Sequence, residues 1–484
     1  MTDLTAAQRD RACGTLLGTA AGDALGAGYE FEGPRAPDQP VAMIGGGLGP
    51  FAPGEWTDDT SMAIAIAEIA ATGTDLAAEA ALDCIVDRWH GWAQNAKDVG
   101  VQTRSVLAAA AQRGISARTV RAEAAALHQR SGRTAGNGSL MRTAPVTLAY
   151  LDDGAALVNA ARVISELTHY DPDAGDACVL WCTAIRHGVR TGQLDARIGL
   201  GHLDADRRNR WAARLDEAEN SSPAAFSGNN GWVVAALQGA WSAIATTPVP
   251  IEQAGAEVFR ADHLRLALEA AVRGGGDTDT VAAIAGGLLG AVYGASAVPA
   301  RWRLMLHGWP GLTTRGLIQL ADNIIDKGRP DPLDYSGYPQ ARAAVPHPHD
   351  PKVWIGGIAA LGSLSAEVDA VVSLCRVADA DLPAGAQHLD VRLIDRQGEN
   401  PNLDFVLLDT VRALEQLRAE GRTVFLHCVQ AYSRTPAIAA LYGARARGID
   451  VDAALRDVCA VLPGADPNPE FRAALRRLQP RSGA

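Results

Sequence analysis

Gly274-Gly275-Gly276-Asp277-Thr278-Asp279-Thr280 leads straight into an Ala-rich segment. There Val281, Ile284, Leu288 and Val292 recur at helical spacing. Far upstream, Trp56-Thr57-Asp58-Asp59-Thr60 opens a second Ala- and Ile-rich helical segment, Asp59–Ala71. Convincing strand alternation is scarce over residues 1–326, so this part reads as all-α. Each acidic motif stands where a helix begins. Asp and Thr are good N-caps, and acids suit the positive helix end. A cap needs one side-chain acceptor, however, and each motif carries two carboxylates. Four such groups brought together would repel unless cations lay between them. Hard oxygen ligands suit Mg²⁺, Mn²⁺ or Ca²⁺, and two ions in a binuclear hydrolytic site stand about 3.5–4 Å apart.

Three further segments carry chemistry. Leu17–Phe31 reads LGTAAGDALGAGYEF, a helix end that enters a glycine-bearing loop with Glu30 near its close. A carboxylate on such a loop can reach a substrate; the plain alternative is a solvated Glu. Gly136-Asn137-Gly138-Ser139-Leu140-Met141-Arg142 is a Gly-rich turn whose backbone N–H groups can approach a diphosphate, although most such turns are only turns. His169, in Thr168-His169-Tyr170, is a base-stacking candidate or an ordinary core histidine.

In chain order these read GDALG…E, TDDT, GNGSLMR, TH, GWVVAAL (231–237) and GGGDTDT. The set resembles the ADP-ribosylglycohydrolase family, which includes the dinitrogenase reductase-activating glycohydrolases. The resemblance spans about residues 8–326. It implies a compact all-α domain with two Mg²⁺ or Mn²⁺ ions. Carried over, Thr57, Asp58, Asp59, Asp277, Asp279 and Thr280 are metal ligands, and Glu30 stands beside the scissile bond as base or positioner. Gly136, Asn137, Gly138 and Ser139 lie at the ADP-ribose phosphates, with His169 near the adenine. The implied reaction is release of ADP-ribose through an oxocarbenium-like transition state.

Lys327–Pro351 reads KGRPDPLDYSGYPQARAAVPHPHDP, with six prolines from Pro330 onward. That density favours an extended linker over a helix, and it reads His347 and His349 as solvated linker residues ahead of the alternative, a metal role. The expected organisation is therefore 1–326, a linker at 327–351, and a second domain at 352–484. The second domain alternates: Val368–Leu374 and Val391–Ile394 read as strands, Asp404–Glu420 as a helix, Arg422–His427 as a buried strand and Pro436–Arg445 as a helix. Strand–helix alternation predicts an α/β layer with a mostly parallel sheet.

Cys428-x5-Arg434 follows the buried strand. Five intervening residues let the backbone curl its N–H groups around a tetrahedral oxyanion. Arg434 closes the ring with a planar fork, and the next helix start adds positive potential. Such a field favours the thiolate that a nucleophilic cysteine needs. Pro436 suits a first helical turn, and the Thr435 hydroxyl can bond the thiolate. This region, about 352–446, resembles the compact dual-specificity type of protein tyrosine phosphatase. Trp354-Ile355-Gly356-Gly357, VVSLCR (371–376) and DVRLID (390–395) fit that type's early elements. The resemblance implies Cys428 as nucleophile, Arg434 as phosphate ligand and Asp395 as general acid, with Asp390 and Asp404 as fallbacks. One departure is Ala431, where that family usually has glycine. If the position needs φ > 0, alanine is strained there.

The chain has 484 residues and a net charge of −11. Single cores stop growing near ~250–300 residues, which also favours two domains. The acidic balance argues against a general nucleic-acid binder, although an ADP-ribosylated nucleic-acid end stays open as a substrate. No apolar run of membrane-spanning length occurs. The N-terminus lacks a charged region followed by an apolar one. The seven scattered cysteines then read as reduced thiols of a cytoplasmic protein. The partners expected are an ADP-ribosylated protein, nucleic acid or small molecule, and a phosphoprotein at the second domain. Two alternatives remain: a Cys428 loop that only binds phosphate, and a non-catalytic ADP-ribose-binding protein.

Overall fold

The computed structural model describes residues 4–329, 333, 335, 343–378 and 381–479. The remainder of the linker stretch lies outside the described residues. Two compact units emerge. The first comprises Met1–Pro248, His263–Val298 and Met305–Pro330. The second comprises Asp331–Ala484 together with Val249–Asp262 and Pro299–Leu304.

The first unit is helical, with one two-stranded ribbon of β1 (His307–Gly308) and β2 (Leu312–Thr313). Two of its helices, Ala6–Gly26 and Thr278–Tyr293, pack backbone against backbone. The cause is a glycine at every fourth residue: Gly14, Gly18, Gly22 and Gly26. A Cβ on Gly18 would stand 2.2 Å from the Gly286 carbonyl oxygen, and one on Gly26 would stand 2.4 Å from Asp279 Cα. Residues four apart share a helix face, so this stripe is continuous. It carries Asp23, otherwise an unfavourable core residue, to the start of the Thr278–Tyr293 helix. The Asp58–Ala70 helix supplies the third wall, with nearly every residue buried.

The second unit is α/β. Its sheet runs β3 (Val345–His347), β4 (Asp350–Gly357), β7 (Val424–Cys428), β5 (Ala370–Ser373) and β6 (Gln387–Asp390). Only β3 is antiparallel; the other pairings are parallel. Val424, Phe425 and Leu426 have no exposed surface, as expected of a central strand covered on both faces. Gly357 pairs with Cys428 and Ser373 with His427, so the strand ends and their loops gather at one edge. Open α/β sheets bind ligands at that carboxyl edge. From the earlier segments, Glu257 pairs with Arg412 and Arg445, and Arg303 donates to the Asp390 carbonyl at 2.9 Å.

Two sequence expectations need correction here. Val391–Ile394 is not a strand; the strand is β6, which ends just before it. Arg392 takes a left-handed φ of 55°, and the Leu393 carbonyl is claimed by Arg434 instead of a ladder. His347 is not solvated linker. It lies on edge strand β3, almost fully buried, with Nε2 at 2.9 Å from the Ala439 carbonyl and Nδ1 accepting from the His349 amide. Both neighbouring prolines are tolerated because the strand is at the sheet edge.

Candidate active sites

The acidic motifs of the first unit meet. Asp23, Asp59 and Asp279 each bring a carboxylate oxygen within 4.8 Å of the others, and Glu30, Asp277 and Asp279 do the same. Asp279 belongs to both groups, so the two triads interlock. The hydroxyls of the motifs lie among them. Thr57 Oγ1 is 3.5 Å from Asp279 Oδ2, across 222 residues of sequence, and Thr280 Oγ1 donates to Asp59 at 3.2 Å. Asp58 stands outside both triads and accepts the Gly100 amide at 3.2 Å.

Asp23 is the ligand candidate that sequence reasoning missed. It accepts the Thr57 and Thr60 amides at 2.9 and 3.0 Å and the Thr60 hydroxyl at 2.6 Å. It therefore caps the Asp58–Ala70 helix from a neighbouring helix, which frees Asp58 and Asp59 from capping duty. The glycine spacing around it was the available signal.

Burial sets the electrostatics. It pushes Asp23 up to about 6, Glu30 to about 7 and Asp58 to about 8, and neighbouring carboxylates add to the rise in Glu30 and Asp58. Asp59 and Asp279 are driven well above the carboxylate range by burial and then by their acidic neighbours. Asp59 Oδ2 is buried with no hydrogen-bond partner among the described residues. Crowded, desolvated, partly unsatisfied carboxylates and hydroxyls are a hard-oxygen donor set, and they fit a divalent cation.

The Gly-rich turn adjoins this cluster. Asn137 Nδ2 donates to Asp277 Oδ2 at 2.7 Å, and Asn230 Oδ1 accepts the Asp277 amide at 2.9 Å. The turn is stitched to the GWVVAAL motif: Asn137 N donates to Gly231 O, and Val233 N donates to Ala135 O. Ser139 is buried and accepts from Cys178 Sγ at 3.6 Å. His169 is 2% exposed, and its ring edge lies against Gly136 and Gly138. Glu30 accepts the Leu48 amide at 3.2 Å, and its loop is pinned to the Gly276 turn by Phe31 N to Gly276 O at 2.6 Å.

On the side of Thr57 and Asp58 opens a cavity of about 510 Å³. Phe51, Trp56, Trp92 and Trp309 wall it. Lys97 and Glu55 pair at 2.7 Å within it, and Asp58 and Asp98, the latter 3.9 Å from Arg104, are its other acidic groups.

In the second unit, Cys428 ends β7 and Arg434 begins the Arg434–Arg447 helix. Arg434 Nη1 donates to the Leu374 and Leu393 carbonyls at 3.1 and 2.8 Å, which are the chain just past β5 and β6. Asp395 accepts from Ser433 Oγ at 2.7 Å and from Asn468 Nδ2 at 3.0 Å, so it is tied to the loop. Asp390 pairs with Arg392, and Asp404 pairs with Arg477 away from the loop. Asn468 went unnoticed in the sequence; it caps the Pro469–Arg477 helix and braces Ser433 and Asp395 together. Behind the cysteine, Ser373 Oγ lies between His427 Nε2 at 2.8 Å and His388 Nε2 at 2.9 Å, and burial pushes His427 down to about 3. Ala431 has φ +52°, so the position does take the left-handed conformation in which alanine is strained. Thr435 Oγ1 is buried with no hydrogen-bond partner among the described residues.

A helical unit with interlocked carboxylates beside a Gly-rich turn defines a class of hydrolase. The chain belongs to the ADP-ribosylglycohydrolase family, whose model matches residues 4–332. It is 31% identical over 301 residues to the ADP-ribosyl-(dinitrogen reductase) glycohydrolase of Rhodospirillum rubrum, covering 60% of this chain and 89% of the relative. It is 29% identical over 299 residues to an ADP-ribosylarginine hydrolase of Pseudomonas putida (strain GB-1), covering 60% and 73%. Among solved structures, human DUSP28 is similar at 26% identity and a TM-score of 0.26, covering 28% of this chain and 96% of that one. No helix of the described residues is long and apolar enough to cross a membrane.

Proposed function

We propose that the first unit releases ADP-ribose from ADP-ribosylated arginine in a reaction that depends on divalent cations, Mg²⁺ or Mn²⁺. The observation that carries this reading is the pair of carboxylate triads sharing Asp279. Asp23, Thr57, Asp58, Asp59, Asp277, Asp279 and Thr280 would hold two ions. Bound there, the ions would supply Lewis-acid charge stabilisation at the ribose and a lowered water pKa. Glu30 would stand beside the scissile bond as base or positioner; in the cation-free site burial and neighbouring carboxylates hold its pKa up. Gly136, Asn137, Gly138 and Ser139 seat the diphosphate, and Asn137 ties that seat to Asp277. The arginine acceptor is supported by the relatives' names and by the cavity. A flat guanidinium suits aromatic walls. The test is a screen of ADP-ribosylated arginine, serine and nucleic-acid ends with free ADP-ribose as readout. Turnover of the arginine substrate alone supports the reading, and turnover only of serine or nucleic-acid substrates rejects the arginine acceptor.

The second unit is read as a Cys-dependent phosphatase module. Cys428 would attack phosphorus, Arg434 would hold two phosphate oxygens, and Asp395 would protonate the leaving oxygen. The support is the short bridge from Ser433 and Asn468 to Asp395, which keeps the acid beside the loop. A phosphoprotein is the proposed substrate, and a reducing cytoplasm the proposed setting for its thiol. The strained Ala431 favours a second reading, a loop that binds phosphate without turnover. Hydrolysis of an aryl phosphate that is lost in Cys428→Ser separates the two. No turnover, with phosphopeptide still bound by Cys428→Ser, selects the reader.

A further inference from the structure

Arg142 is buried inside the first unit with no exposed surface, and the one carboxylate that acts on it, Asp58, makes no ion pair with it among the described residues. Its guanidinium stacks on Trp89, 3.9 Å from the ring centroid, and Trp89 in turn donates to the Met62 carbonyl at 3.0 Å. A buried arginine is costly unless its position does something. Its one strong hydrogen bond goes from Nη2 to Thr168 Oγ1 at 2.6 Å. Thr168 Oγ1 lies 2.8 Å from His169 Nδ1.

Arginine has donors only, so the Thr168 oxygen must accept from it. The hydroxyl then has one hydrogen to place. Thr168 is fully buried, and among the described residues its only other side-chain partner is His169 Nδ1. If Nδ1 carried a proton, the hydroxyl hydrogen would be stranded without an acceptor, at a cost of a buried unsatisfied donor. The satisfied arrangement has Thr168 donating to Nδ1. In a neutral imidazole the proton then sits on Nε2. The ring is neutral because burial and the nearby Arg142 cation both hold its pKa well below the usual histidine range. Nε2 makes no hydrogen bond among the described residues, and it faces the turn: a Cβ on Gly136 would stand 3.1 Å from it, and one on Gly138 3.0 Å from Cε1. Gln102 fixes the backbone behind, donating to Thr134 O at 3.1 Å and Thr168 O at 2.9 Å.

We propose that Arg142 and Thr168 are positioning residues that lock His169 as the Nε2–H tautomer, a hydrogen-bond donor turned toward the Gly136–Ser139 turn. This rests on the reading that the turn seats the ADP-ribose diphosphate. The chemistry follows from sign. An Nε2–H meets an anionic oxygen favourably, whereas the lone pair of the other tautomer would repel it. His169 thereby acts through its edge and not through its ring face.

The test uses the full chain with Thr168→Val, which keeps shape and loses the hydroxyl, beside Thr168→Ser, which keeps the hydroxyl. Imidazole ¹⁵N NMR reads the tautomer, and calorimetry with ADP-ribose reads the seat. The wild type and Thr168→Ser should show Nε2–H. Thr168→Val should lose that preference, bind ADP-ribose about ten- to a hundredfold more weakly and raise KM in proportion, with kcat little changed. An Nδ1–H or charged His169 in the wild type overturns the proposal. So does a folded Thr168→Val with unaltered affinity. If Thr168→Val does not fold, the wild-type spectrum still decides the tautomer. A wild type that shows the Nε2–H tautomer yet binds no ADP-ribose sinks the functional reading of the turn and the ligand role of the donor, while the Arg142–Thr168 lock on the ring stands.

Discussion

The two sites are built in opposite ways. The carboxylate site draws single side chains from helices far apart in sequence: Asp23, then Asp58 and Asp59, then Asp277 and Asp279. Its precision depends on how closely those helices pack. The cysteine site is seven consecutive residues between one strand and one helix, and its geometry is mostly backbone. Side chains from elsewhere, such as Asp395 and Asn468, only trim it. The first kind of site is lost by any change that moves a helix, and the second by changes within the loop itself.

The sharpest way to break that comparison is to cross the knockouts. Asp279→Ala should abolish ADP-ribose release, a larger loss than the ~10–100-fold typical of a group behind a ligand. Isothermal titration should show divalent-cation binding lost with it. Aryl-phosphate turnover should be untouched. Cys428→Ser should give the reverse pattern. Loss of both activities in either variant would mean that the two chemistries are not separate.

Packing comes next. Gly18→Val places a branched side chain where even a Cβ would lie 2.2 Å from the Gly286 carbonyl. It should cost about 1–3 kcal/mol or more in a denaturant melt, and it should depress ADP-ribose release more than phosphate-ester turnover. A wild-type melting curve would show that the glycine stripe is not what fixes the helix pair.

That stripe marks the limit of what could be read from the chain. The acidic motifs, the Gly-rich turn and the Cys428 loop are contiguous, so their chemistry is visible as text. The helical texture of the first half and the alternation of the second follow from periodicity. Asp23 was passed over because a lone carboxylate in an apolar helix declares nothing until Gly14, Gly18, Gly22 and Gly26 are seen to draw a second helix against it. Val391–Ile394 looked like a strand because its apolar residues alternate. A left-handed Arg392 and the demand of Arg434 for the Leu393 carbonyl are tertiary facts with no local signature. Asn468 and the tryptophans of the cavity were invisible for the same reason.

A smaller effect tests the electrostatics. A carboxylate whose folded pKa lies above its unfolded value stabilises fully only below the unfolded value. That contribution is lost as pH rises through the folded one. Asp23 at about 6 and Asp58 at about 8 therefore predict a cation-free fold that weakens between about pH 4 and 8. Bound divalent ions would offset the crowding. The gap in Tm between Mg²⁺-loaded and chelated protein should widen across that window. A constant or shrinking gap would contradict the crowded-carboxylate account.

The smallest effect belongs to the loop. Ala431→Gly relieves a φ of +52° that alanine adopts at a cost of about 1–2 kcal/mol. It should raise stability by about 1 kcal/mol and tighten vanadate binding several-fold. Unchanged vanadate affinity would mean that the strain does not reach the anion seat.

The central claim is that the interlocked carboxylates work by holding divalent cations. The direct measurement is ADP-ribose release from an ADP-ribosylarginine peptide by the full chain, first stripped with chelator and then titrated with Mg²⁺ or Mn²⁺. The account predicts no release from the stripped enzyme and full recovery on titration. Undiminished release in saturating chelator would contradict it.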